Sequence, residues 1–164
     1  MDVKKTRKTL IINKIEKKEV YYHGTDKIFN EFSVPETSKD IKSPLGLLGI
    51  YFTKCPKLAS DFSKVSWSNP KSKYRKKANV RPVYLRLNNP KVLDIDTFLM
   101  LSGRGDKYLR EFKQDLIKDG FDSIIFEKPS DKSKYPNFII DEFPTNQYIA
   151  FYNYQISSIF EEKI

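Results

Sequence analysis

One cysteine and one histidine among 164 residues leave little room for two common chemistries. Cys55 alone cannot build an internal disulfide framework, and its neighbourhood lacks a base or an oxidoreductase motif, so a buried apolar role is expected of it. One Cys with one His cannot complete a three- or four-ligand zinc site without carboxylates, so no structural metal is expected. Glycine occurs six times. No Gly/Ser/Pro linker and no internal repeat interrupts the chain, which leaves one continuous domain as the simplest organisation. Near the N-terminus, Lys4, Lys5, Arg7 and Lys8 flank only the short apolar run Leu10-Ile11-Ile12, too brief for a signal-peptide core or a membrane span. A cytoplasmic protein with no membrane partner is the expectation.

Aromatic residues are abundant, with 12 Phe and 10 Tyr, and this separates the chain from the apolar-poor composition of disordered segments. At this length a domain typically buries about 70% of its unfolded surface, so an aromatic-rich core is within reach. The charge is one-sided: +9 overall, with a sequence pI near 9.4. Lys64, Lys71, Lys73, Arg75, Lys76, Lys77, Arg81 and Arg86 fall in a stretch without a single acidic residue. Two readings of it stand together, a solvated loop or a surface for a polyanion such as RNA or DNA. Trp67 and Tyr74 lie inside the stretch, where they could stack on bases.

Residues 1–18 read as a basic N-terminal extension and 19–164 as the domain proper. Glu19-Val20-Tyr21-Tyr22-His23 is β-branched and aromatic and stops at Gly24, the pattern of a strand entering a tight turn. Residues 26–48 contain Pro35, Pro44 and Gly46 and read as a loop with one short helical turn. Gly49-Ile50-Tyr51-Phe52-Thr53 is the next strand, and Pro56 suits the first turn of a helix whose Leu58, Phe62 and Val65 share a face. Val83, Leu85 and Leu87 alternate with Tyr84 and Arg86 in a strand that Asn88-Asn89-Pro90 ends. A second helix is expected from Asp106, as N-cap, through Leu109, Phe112 and Leu116 to Gly120. Strand-like runs follow at 121–126, 137–140 and 147–152, and 155–159 closes the chain. Strands outnumber helices in an α+β arrangement.

The strand ends bring a family into view. Tyr22-His23-Gly24-Thr25, then Gly49-Ile50-Tyr51-Phe52-Thr53, then Gln147-Tyr148-Ile149-Ala150-Phe151 with Gln155-Ile156 downstream, resembles the diphtheria-toxin-like branch of ADP-ribosyltransferases. Poly(ADP-ribose) polymerase catalytic domains and the small PolyVal-type phage and bacterial domains are nearest in pattern, and residues 19–159 are covered. The resemblance implies an ADP-ribosyltransferase fold, with split, mostly antiparallel sheets forming an NAD cleft between flanking helices. It implies NAD as co-substrate and a His-Tyr-Glu triad whose matching positions are His23, Tyr51 and Gln147. His23 would bond the adenine-side ribose, Gly24 would grip the nicotinamide carboxamide through its backbone, and Thr25 would contact a ribose. Tyr22 and Phe52 join the cofactor-binding set. Tyr51 would pack on the nicotinamide ring, with Phe62 as a second stacking aromatic eleven residues on. Where polymerase-like members often place a hydroxyl on that helix, this chain has Ala59. The tRNA 2'-phosphotransferases also begin with a His-Gly-Thr-like element, but they ordinarily present a histidine where Tyr51 stands.

The third position departs from the family. Departure of nicotinamide leaves a ribosyl cation, which calls for orientation, aromatic faces and negative charge. Gln147 can accept a hydrogen bond but brings no charge. It stands open as a natural feature limiting the enzyme to single transfers, as the mark of a binding-only domain, or as an introduced isostere of Glu. Glu127, Asp141 and Glu142 are the neighbouring carboxylates that could substitute. The resemblance further implies mono-ADP-ribosylation of a macromolecule, and the basic stretch favours nucleic acid over protein. Residues 128–146 would form the acceptor-recognition loop, with Tyr135 and Phe138 as its contact residues. Such compact transferases look like toxins or phage-encoded host modifiers, for which a neutralising partner is expected. An NAD or ADP-ribose-binding module and a plain NAD glycohydrolase are the alternatives.

Overall fold

Tyr21–Thr25, a β-branched-and-aromatic segment ended by its glycine and threonine, forms the first strand, β1. The computed structural model describes residues 18–27, 29–34, 44–64 and 78–160. The expectations for Val65, Trp67, Tyr74 and most of the N-terminal extension lie outside them. In chain order the other elements are β2 (Ile50–Thr53), α1 (Pro56–Lys64), β3 (Asn79–Leu85), β4 (Pro90–Leu93), α2 (Ile95–Ser102), α3 (Asp106–Lys118), β5 (Ser123–Phe126), α4 (Asn137–Glu142), β6 (Gln147–Ala150) and β7 (Ile156–Ser158). The expected helical turn in the first loop is the 3-10 segment Pro44–Leu48.

The seven strands lie in the order β4-β5-β6-β2-β1-β3-β7, antiparallel throughout except for β4 beside β5. That parallel pair needs a long crossover, which α2 and α3 supply. The fold is α+β, as expected. In place of the expected split sheets there is one continuous sheet, in which β1 and β2 share the single paired position Tyr22↔Thr53.

One face of the sheet carries the main core. Ile124, Phe126 and Ile149 meet Phe98 and Leu101 of α2, Leu109 and Leu116 of α3, Ile139 of α4 and Phe143. Phe98 sits edge-on to Phe126 and Phe143 at 5.1 and 5.0 Å, the arrangement that aromatic quadrupoles favour. The other face is covered by a smaller cluster, Ile50, Phe52, Val83, Tyr148 and Ala150, against which Phe32 and Val34 fold.

Three local expectations are corrected. Residues 137–140 are helical rather than extended: Ile139 and Ile140 both donate to the Pro136 carbonyl, and Ile139 and Phe143, four apart, are buried while Phe138 is exposed. A run of three apolar residues fits either period, and the packing chose the helical one. The N-cap of α3 is Gly105, with Asp106 in the first turn, where its charge complements the helix dipole. Leu87 lies beyond the end of β3. At the far end of α3, Gly120 adopts φ +91° and donates to Ile117, while Phe121 donates to Leu116. This reciprocal pair of bonds closes the helix and requires the left-handed residue that glycine supplies. β4 and α2 were not read from the sequence, although Asp94 is a plain N-cap, its carboxylate 2.8 Å from the Thr97 amide.

Candidate functional site

Pro82 sets the hydrogen-bond phase beside β1. Tyr22 faces Pro82 in register, and proline has no N–H, so the bonded pairs of β1 and β3 are Tyr21 with Val83, His23 with Arg81, and Thr25 with Asn79. The peptide edges of Tyr22 and Gly24 therefore point toward β2. Tyr22 meets Thr53 there, and a continued ladder would put Gly24 opposite Tyr51. The ladder stops instead, and the Tyr51 carbonyl accepts a hydrogen bond from His23 Nδ1 at 2.7 Å. A carbonyl can only accept, so Nδ1 holds the proton and, in the neutral ring, Nε2 carries the lone pair. At the resulting opening, Gly24 presents a donor and an acceptor on one peptide edge, the complement of a primary carboxamide.

Helix α1 packs directly over this opening. A Cβ on Gly24 would lie 1.8 Å from the Ala59 carbonyl oxygen, so only glycine permits the approach. Ala59 itself is 1% exposed and leaves no space for a longer side chain. Phe62, on the same helix, is half-buried, and Ser63 turns its hydroxyl to the Ser60 carbonyl.

Strand alternation distributes the remaining residues. Tyr22, Gly24, Tyr51, Thr53 and Gln147 face the helical side of the sheet, as the registers Tyr22↔Thr53 and Thr53↔Gln147 require. His23, Thr25 and Phe52 face the opposite side. The structure thus brings Gly24, Tyr51 and Gln147 onto one face, and links His23 to them through the Tyr51 backbone. Tyr51 donates its hydroxyl to the Leu45 carbonyl at 3.1 Å, and burial pushes its phenol far above the ordinary range, so the ring is neutral and fixed. His23 is ringed by aromatics: Phe32 at 5.3 Å, Phe52 at 5.5 Å and Phe29 at 6.4 Å. Phe52, 2% exposed, backs the imidazole from within the core. The Thr25 hydroxyl accepts from the Lys27 amide at 3.1 Å and closes the turn after β1.

Gln147 is 5% exposed at the start of β6. Its Nε2 donates to the Glu142 carbonyl at 2.7 Å, which fixes the amide orientation and leaves Oε1 as its acceptor. A glutamate in the same rotamer would set carboxylate oxygen against carbonyl oxygen. Beside it, Thr53 Oγ1 lies 3.1 Å from Thr145 Oγ1 and accepts from the Cys55 amide. Of the three neighbouring carboxylates, Glu127 and Asp141 are exposed, whereas Glu142 is half-buried on the inner side of α4. Burial raises the Glu142 carboxyl above the usual glutamate range.

The two expected acceptor contacts part company. Phe138 stands on α4 at 67% exposure, while Tyr135 is half-buried against the main core and donates to Asp96 of α2 at 3.0 Å. Sequence reading missed the aromatic ring around His23 and also Arg81, counted only as one charge in a basic stretch. Its register opposite His23 depended on knowing which strand β3 joins.

The family model described as an ADP-ribosyltransferase in polyvalent proteins matches residues 17–164. No curated protein and no solved structure matches the chain.

Proposed function

We propose that this chain, which belongs to the family of ADP-ribosyltransferases in polyvalent proteins, moves a single ADP-ribose from NAD to a macromolecule, with nucleic acid the favoured acceptor. Enzymes of this class use NAD as co-substrate. The observation that carries the reading is the arrested β1–β2 ladder: His23 Nδ1 occupies the Tyr51 carbonyl, so the Gly24 peptide edge is turned into the opening. A carboxamide offers the matching acceptor and donor. Tyr51 and Phe62 supply aromatic faces on the α1 side, suited to a flat pyridinium ring and to the positive charge that develops as it leaves. His23 Nε2, with the proton held on Nδ1, suits a ribose hydroxyl.

In transfer, the acceptor nucleophile bonds to the ribose carbon as the bond to nicotinamide breaks. Nicotinamide leaves with the bonding pair, and the acceptor gives up its proton. Gln147 Oε1 accepts a ribose hydroxyl without adding charge, which supports single transfer over chain growth. The amide has a structural duty at the Glu142 carbonyl, and this favours Gln147 as a natural feature of the chain. The same missing charge favours a second reading, an NAD-binding module with weak turnover or simple NAD hydrolysis. The overall charge of +9 supports the nucleic-acid acceptor and, in a toxin or phage effector of the cytoplasm, an acidic neutralising partner.

The test compares the parent with Gln147→Glu, using labelled NAD and cell lysate followed by nuclease or protease. Transfer of nuclease-sensitive label by the parent, increased in Gln147→Glu, is the expected result. Protease-sensitive label would move the acceptor to protein, and free ADP-ribose without any acceptor would indicate hydrolysis. Absence of both transfer and nicotinamide release from both forms, with NAD still bound in calorimetry, would leave the module reading.

A further inference from the structure

β7 closes one end of the sheet, and no described strand lies beyond it. The Arg86 amide donates to the Gln155 carbonyl at 2.9 Å, so Gln155 and Ser157 turn their peptide edges to β3, while Ile156 and Ser158 turn theirs outward. The Ile156 amide is returned to the Asn153 carbonyl, whereas the Ser158 amide faces the open edge. Beside that edge, on the sheet face opposite α1, runs a groove of about 620 Å³. Val83, Ile156 and Ser158 line its sheet side, as the register Val83↔Ser158 requires, and Phe32 lines the loop side. Tyr154 and Phe160, one before and one after β7, also line it and are 73% and 79% exposed. Tyr154 is braced by stacking flat on Tyr152 at 5.1 Å. Arg81 completes the groove: its guanidinium lies over the Phe29 ring at 4.0 Å, and its Nε is buried with no hydrogen-bond partner among the described residues. A buried cationic donor left unpaired is costly, and an anionic acceptor would offset that cost. Glu31, the one carboxylate in the lining, is exposed.

We propose that this groove receives an extended acidic segment of a partner protein, which pairs with the outer edge of β7 and sets a carboxylate on the Arg81 guanidinium. The inference rests on the reading of an acidic neutralising partner above. An open strand edge matches another polypeptide backbone, donor for acceptor, in a way that nucleic acid does not reproduce. The guanidinium fork meets both oxygens of a carboxylate, with Phe29 holding its plane. Tyr154 and Phe160 offer ring faces to apolar side chains of the segment. The groove also lies apart from the path of a transfer acceptor, because Tyr51 and Gln147 project from the α1 face. Arg81 is the cross-strand neighbour of His23, so a carboxylate held there would crowd the His23 side of the NAD cleft.

The test is an NMR titration of the full chain with a synthetic peptide alternating valine and glutamate, read at the backbone amides and at the Arg81 Nε–H. Its controls are the same peptide N-methylated throughout, a valine-lysine peptide and a thymidine oligonucleotide. The acidic peptide should shift Ser158, Phe160 and Arg81, and the N-methylated and lysine peptides should each bind about tenfold or more weaker. Ser158→Pro replaces an outward amide and spares the ladder to β3. It and Arg81→Met should each lose about tenfold in affinity for the acidic peptide, while Ser158→Ala stays within about twofold. No shift with the acidic peptide overturns the proposal, as does its equal binding by a folded Arg81→Met protein or equal binding of its N-methylated form by the parent. Shifts at these residues from the oligonucleotide alone also overturn it and would make the groove a nucleic-acid surface. If the acidic peptide binds here and leaves NAD binding in calorimetry unchanged, the groove stands and the neutralising reading falls.

Discussion

Gly24 combines two demands that no other residue meets. Its peptide edge must face the opening, and its α-carbon must lie under the Ala59 carbonyl with no room for a methyl group. Gly24→Ala should therefore cost about 3 kcal/mol or more, above the usual range for overpacking because the obstructing atom belongs to a helix backbone. A denaturant titration reads this directly, and an unchanged midpoint would show that α1 does not approach so closely. His23, Gly24 and Tyr51 were legible as site candidates because their types and order survive in the linear chain. The sidedness was not: His23 and Tyr51 project from opposite faces, and their link runs through a backbone carbonyl that no motif encodes. Gln147 was legible as a departure, but its bond to Glu142 was visible only once α4 folded back over the start of β6.

At the level of elements, the helix with a clear period and most of the short strands were read correctly, and one short apolar run was not. The helical spacing of Leu109, Phe112 and Leu116 left one solution, whereas Asn137-Phe138-Ile139-Ile140 left two until Ile139 and Phe143 found the core. That choice also turned Glu142 inward. Burial raises its folded-state pKa above the unfolded value, so the native state holds the proton more tightly. The associated stability is full below the ordinary glutamate range and is lost as pH climbs through the raised value. Glu142→Gln, which cannot ionise, should melt higher than the parent near neutral pH. The two should converge at about pH 3, where both side chains are neutral. Thermal melts at the two pH values decide it, and an equal gap at both would rule out titration of Glu142 as the cause.

At the scale of the whole molecule, the excess of nine positive charges predicts that the proposed nucleic-acid acceptor is held electrostatically. Affinity for a single-stranded RNA or DNA oligonucleotide should fall about tenfold or more between 50 and 200 mM salt, as measured by fluorescence anisotropy. An affinity independent of salt would argue against a phosphate-contacting surface. This charge, together with the aromatic-rich core, the α+β balance and the ordered series His23-Gly24-Thr25, Tyr51 and Gln147, was determined by the sequence alone. Composition and short-range period do not depend on how strands are ordered. Tertiary structure decided the rest: the arrested ladder between β1 and β2, the opposite facing of His23 and Tyr51, and the meeting of His23 with Arg81, fifty-eight residues apart. These depend on which strands lie side by side and in what register. A shift of one residue in β3 would turn Arg81 to the other face, and nothing local to either strand specifies that pairing.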